Sequence, residues 1–152
     1  MASSSQLRTG IQVVLAIVIV VLGYILYQSI TEPYDRIQQQ ERLTELTRER
    51  MGNVRTALIR FENQNDSFPD SLSYLMQYLR QDSLVQAKTD SVFGPNLVLD
   101  SLIYSPRTGN PFNYTVNDTG RVETYLLKDP DSNDQIGTLS GDVTQTNSAN
   151  WE

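Results

Sequence analysis

The chain has 152 residues and a net charge of −6, with neither cysteine nor histidine. Those two absences exclude disulfides, iron–sulfur clusters, Cys/His zinc sites, a cysteine nucleophile, a Ser-His-Asp triad and any imidazole base. Most of the acidic excess falls in residues 85–152. That distribution predicts no nucleic-acid partner, because phosphate backbones are bound by clustered Lys and Arg.

From Ile11 to Ile30 the sequence is apolar apart from Gln12, Gln28 and Ser29, and it carries no charge. About 20 residues at 1.5 Å each span the ~30 Å hydrocarbon core of a bilayer. Tyr24 and Tyr27 lie toward one end, where amphipathic rings favour the membrane interface. The run exceeds the 7–15 residues usual for a cleaved signal core, and Gln28–Tyr34 offers no Ala-x-Ala-like cleavage site. The expectation is therefore an uncleaved transmembrane helix with Met1 retained. Counting Lys and Arg alone favours a cytoplasmic C-terminal side, through Arg36, Arg42, Arg48 and Arg50 against Arg8, although a long folded domain weakens that rule.

Pro33 is compatible with a helix start or with a kink just outside the span. From Tyr34 to Phe61 the residues are mostly strong helix formers. Ile37, Leu43 and Leu46 are sparse, whereas Val54, Ala57, Leu58 and Phe61 follow i, i+3, i+4, i+7. This pattern predicts a solvated stalk whose last turns enter a folded domain. The expected division is a flank over 1–10, a transmembrane helix over 11–30, a membrane-proximal stalk over 31–52, and a soluble domain over 53–152. Asn63 to Ser67 ends the helix. A short second helix then runs to about Arg80 with Asp70 or Ser67 as cap and Leu72, Leu75, Met76 and Leu79 on its apolar face. Gly94-Pro95 marks a turn.

Three strands are expected next, over Leu97–Tyr104, Phe112–Val116 and Val122–Leu127. Asn117-Asp118-Thr119-Gly120 is a hairpin signal between the last two. Alternation in these strands predicts an antiparallel sheet covered on one side by a helix. The tail from Lys128 is turn-rich and acidic, with Trp151 expected to anchor it against the core.

This order of elements resembles type IV pilin-like proteins, and among them the major pseudopilins of type II secretion. The resemblance rests on Asn53–Phe61 followed by Asn65-Asp66-Ser67-Phe68-Pro69-Asp70-Ser71-Leu72, on Ser105-Pro106-Arg107-Thr108-Gly109-Asn110-Pro111-Phe112-Asn113-Tyr114, and on the terminal Asn150-Trp151. It implies an α+β fold, in which an N-terminal transmembrane helix continues into a long helix packed on a small antiparallel sheet. It also implies a bacterial inner-membrane location, with the C-terminal domain periplasmic or extracellular. The implied role is structural, in a secretion or pilus-type assembly. Its expected partners are membrane lipid and either other membrane subunits or further copies, met through the N-terminal helix. The family's processing motif places a glutamate five residues after its glycine. Here the fifth residue after Gly10 is Leu15, a departure that points to the alternative of a fixed, non-catalytic subunit of a stable membrane complex.

Asp129-Pro130-Asp131-Ser132-Asn133-Asp134 carries oxygens at alternate positions, like the start of an EF-hand loop. The sixth position is Asp134 rather than glycine and the twelfth is Ser140 rather than glutamate. The resemblance implies a calcium loop at this place, with Asp129, Asp131, Asp134 and Asp142 as candidate ligands. The other reading is a solvated acidic turn. No carboxylate pair sits in a recognisable catalytic motif and no Gly-rich phosphate loop occurs, so no enzymatic activity is expected.

Overall fold

The computed structural model describes residues 4–95 and 97–152, with side chains defined at 6–29, 34 and from 36 onward. Its elements are α1 (Ser4–Asn65), α2 (Leu72–Gln81), α3 (Ser83–Ala87), α4 (Thr89–Phe93), a 3-10 turn η1 (Leu99–Ser101), β1 (Asn113–Asn117), β2 (Thr124–Lys128), β3 (Gln135–Gly137) and a second 3-10 turn η2 (Val143–Gln145). The protein is thus α+β, a long N-terminal helix followed by short helices and a three-stranded antiparallel sheet of order β1-β2-β3. This order is compatible with a pilin-like fold. The expectation about Met1 lies outside the described residues, and so does the side chain of Pro33. The backbone of residue 33 is interior to α1 rather than at a helix start.

The chain divides into two compact units, one ending at Arg42 and the other Leu43–Glu152. Within the first, Gln6–Ser29 is a 24-residue stretch long and apolar enough to cross a membrane, and it is the one such helix among the described residues. At 1.5 Å per residue it measures about 36 Å. Its apolar side chains are exposed on every face, from Leu7 and Ile11 to Leu26 and Tyr27. An aqueous helix of this composition would expose its whole apolar circumference to water, and lipid removes that cost.

The second unit has its own core. Thr47, Met51, Val54, Ala57, Leu58 and Phe61 recur at intervals of three and four along α1 and are all buried. The buried stripe therefore begins two turns before Val54, within the compact unit Leu43–Glu152. α1 ends at Asn65, where Asp66 takes a left-handed φ of 57°. A short polar side chain tolerates that conformation, and the Asp66 N–H closes the last turn onto the Glu62 carbonyl at 2.7 Å.

α2 is capped by Ser71, not by Asp70 or Ser67 as expected. Ser71 is extended, with φ −153° and ψ 156°, and its Oγ accepts the Tyr74 N–H at 3.2 Å. The predicted face, Leu72, Leu75, Met76 and Leu79, is buried. Phe61 meets Tyr74 and Tyr78 edge-on at 5.8 and 4.9 Å between ring centroids.

The strand expected over Leu97–Tyr104 does not form. Its apolar residues lack strict alternation, and they instead make η1 and successive turns: Ser101 N–H bonds the Val98 carbonyl and Leu102 N–H the Leu99 carbonyl, at 2.9 and 3.0 Å. Only a single bridge, Tyr104 to Pro111, is strand-like. The third strand is β3, paired with β2 through Leu126–Gly137, Leu127–Ile136 and Lys128–Gln135. The hairpin signal is met. β1 and β2 pair from Asn113–Lys128 to Asn117–Thr124, and Asn117 Oδ1 accepts from the Thr119 N–H at 3.2 Å in the connecting loop. β2 therefore starts at Thr124, two residues later than expected.

On the far edge of β3 the tail returns antiparallel. Ile136 bridges Ala149, Gly137 N–H donates to the Ser148 carbonyl at 2.9 Å, and Asn150 N–H donates to the Gln135 carbonyl at 3.0 Å. Gly137 is required here: its φ is +86°, and a Cβ would lie 2.2 Å from the Tyr125 carbonyl oxygen and 2.8 Å from that of Thr146. Arg55 holds the tail with a bidentate pair to Glu152 at 2.8 and 3.0 Å and a bond to the Asn147 carbonyl at 3.0 Å.

Candidate functional site

The acidic turn after β2 is a built site, and its partners come from distant parts of the chain. β2 ends at Lys128, and the next residue, Asp129, turns its carboxylate into the domain, where the side chain is fully buried. The turn closes on itself: Asp129 N–H donates to the Asp134 carbonyl at 3.0 Å, Ser132 Oγ donates to Asp129 Oδ2 at 2.7 Å, and Asp134 N–H donates to Ser132 Oγ at 3.1 Å.

Two arginines meet these carboxylates. From α1, Arg48 donates through Nε and Nη2 to both oxygens of Asp134, each at 3.0 Å, a planar fork matched to a carboxylate. That bond holds the Arg48 guanidinium more firmly protonated than usual. From the segment between η1 and β1, Arg107 brings its Nε to 3.4 Å from Asp129 Oδ2 and its Nη2 to 3.8 Å from Asp134 Oδ2. The same Nη2 donates to Thr44 Oγ1 on α1 at 2.9 Å. Trp151 is half-buried against the core, as expected for an anchor, and the Arg48 guanidinium lies 5.2 Å from its ring centroid.

The four carboxylates named as candidate ligands are therefore not gathered into one oxygen cage. Asp129 and Asp134 face the arginines. Asp131 is exposed and accepts a hydrogen bond from the Thr108 hydroxyl. Asp142 is exposed at the start of η2, where its Oδ1 accepts the Thr144 hydroxyl at 2.7 Å and the Thr144 N–H at 3.0 Å. The hydroxyl bond, then the N–H bond, holds its carboxyl below the usual range. Among the described residues no three acidic side chains are placed to hold a metal ion. A calcium ion needs six to eight oxygens. Here one carboxylate is already chelated by a guanidinium and a second guanidinium stands beside the other, so the residues present do not fit it. Sequence reading missed Arg48 and Arg107, which are remote in sequence from the turn. The one signal for Arg107 was its place in the Ser105–Tyr114 motif.

A second polar cluster lies at the α2–α3 junction. Asp82 accepts from Arg60 Nε at 2.7 Å and Nη2 at 3.2 Å, and its Oδ1 also caps α3 by accepting the Leu84 N–H at 2.9 Å. Arg60 first, with the Leu84 and Val85 N–H groups adding to it, holds the Asp82 carboxyl below its usual range against the opposing effect of burial. These bonds join α1 to the start of α3. Desolvation pushes the Tyr114 and Tyr125 phenols well above their ordinary range, so both are neutral at any physiological pH.

No protein-family model, curated protein or solved structure matches the chain. The apolar helix and the arginine-bound turn are the two features on which a function can be argued.

Proposed function

We propose that the protein is a single-pass, membrane-anchored structural component of a secretion or pilus-type assembly, similar to pilins and pseudopilins, with its α+β domain on the outer side of a bacterial inner membrane. The observation that carries this reading is the composition of α1. One helix is apolar on every face over Gln6–Ser29 and then, from Thr47, presents a single buried stripe to a small sheet domain. The order of the capped second helix and the antiparallel sheet after it supports the same reading. The role is structural rather than catalytic. The partners are lipid around the span and other membrane helices, either further copies or different subunits, with no nucleic acid.

Leu15 favours a second form of this proposal. It is an exposed, apolar side chain where the pilin family has a carboxylate. A span without an acidic group offers no partner for a neighbour's terminal amine, which suits a fixed subunit of a stable complex better than a polymerising one. Purification of the untagged protein from native membranes, followed by mass spectrometry of its N-terminus and partners, separates the two. Cleavage after Gly10 with self-association supports the filament form. An intact N-terminus with constant stoichiometry to other subunits supports the fixed subunit. A monomer with no membrane partner overturns both. Protease access to the domain in spheroplasts, but not in intact cells, supports the outer orientation.

A further inference from the structure

We propose that Arg107 is the resident cation of the Asp129–Asp134 turn, so that this turn folds without a divalent ion and instead ties three chain segments together by charge. Asp129 is a fully buried carboxylate. A buried charge persists only when it is paired, bonded or metal-bound. Its Oδ2 takes the Ser132 hydroxyl, and the positive group beside it is Arg107, at 3.4 Å. Asp129 Oδ1 and Arg107 Nε are both buried and neither makes a hydrogen bond. The pair is therefore held by charge, with Nε 3.4 Å from Oδ2, and not by a close donor–acceptor contact. A divalent ion on this carboxylate would have to share it with the Arg107 guanidinium, 3.4 Å from Oδ2, and like charges repel strongly where water is excluded. Arg107 also reaches Asp134 and Thr44, while Arg48 completes the neutralisation of Asp134. Two arginines and two aspartates thus form a balanced set that links α1, the approach to β1 and the turn after β2. The Ser105–Tyr114 motif and the acidic turn are complementary halves of this one arrangement.

The test is thermal unfolding of the full-length protein in detergent micelles. It is followed by the fluorescence of the single Trp, Trp151, which lies beside Arg48 in the same corner. The expected wild-type Tm is the same in millimolar EDTA and in millimolar calcium. A rise of ~5 °C or more with calcium overturns the proposal. Arg107→Gln strands the Asp129 charge and is expected to lower Tm by ~5–10 °C. Adding Asp129→Asn to it removes both charges and is expected to restore roughly half of that loss or more. Losses that simply add overturn the pairing. If Arg107→Gln does not fold, Asp129→Asn alone decides: a lowered Tm that calcium does not change supports the proposal, and an unchanged Tm overturns it.

Discussion

α1 contains two regions that share a backbone conformation and differ in what they need around them. Over Gln6–Ser29 apolar residues point in every direction and all stay exposed. Over Thr47–Phe61 one stripe is buried while Arg48, Arg55 and Arg60 leave its flanks to hold Asp134, Glu152 and Asp82. The first region asks for an apolar solvent. The second asks for particular neighbours at particular distances. Helix formation is common to both and distinguishes neither. The first region is the candidate membrane span, and the second carries the packing of the domain.

The largest expected effect comes from separating them. A chain starting at Leu43 keeps the complete core cluster and all the ion pairs of the domain. It is expected to fold in water without detergent and to leave the membrane fraction entirely. Fractionation together with circular dichroism checks this, and a chain that aggregates or loses its sheet signal would mean that the domain depends on the span.

Next is the packed stripe. Leu58 is fully buried, and Leu58→Ala is expected to cost the domain about 2–5 kcal/mol, the sum of lost transfer energy and a residual cavity. Denaturant unfolding measures it. A cost below about 1 kcal/mol would show that the site collapses freely and that the stripe is not closely packed.

These two regions also differ in how openly the sequence declares them. The span is legible because uniform apolarity over some 20 residues suits a bilayer and little else. The stripe Val54, Ala57, Leu58, Phe61 and the face of α2 are legible because their spacing repeats the helical period. The β1–β2 hairpin is legible from Asn117 to Gly120. Legibility fails where long-range partners decide the outcome. Leu97–Tyr104 reads as a strand from its composition, yet no neighbour pairs with it beyond the bridge at Tyr104. β3 is three residues with one buried aliphatic, Ile136, between Gln135 and Gly137, and its conformation is set by β2 and the returning tail. Likewise the acidic turn reads as a cation site because its carboxylates are local in sequence, while the guanidinium groups that meet them are brought by the fold.

A smaller effect tests the edge of the packed region. Asp82 holds Arg60 and caps α3, and its carboxyl is held below the usual range mainly by Arg60. A carboxylate whose folded pKa is depressed stabilises the fold fully above its unfolded value, near pH 4, and the contribution is lost as pH falls through the folded value. Asp82→Asn is therefore expected to cost about 1–2 kcal/mol at pH 7, and the gap from wild type should narrow below about pH 4. Denaturant midpoints measured across that range check the sign. A gap independent of pH would assign the effect to the cap alone.

The smallest expected effect is the most direct contrast. Leu22 and Leu58 are the same residue in the same helix, one 58 % exposed and the other fully buried. Leu22→Ala removes the same atoms as Leu58→Ala but creates no cavity in a protein core, so the domain's unfolding midpoint is expected to stay within about 0.5 kcal/mol of wild type. Its insertion should also persist, since Leu contributes only about 0.3–0.6 kcal/mol at a span's centre. The informative readout is then association. If Leu22→Ala leaves copurifying subunits unchanged, that position faces lipid. If it releases them while the domain remains folded, the same exposed leucine is part of a helix–helix contact. Repeating the substitution at Val18, Val21 and Ile25 then traces which side of the span other helices cover.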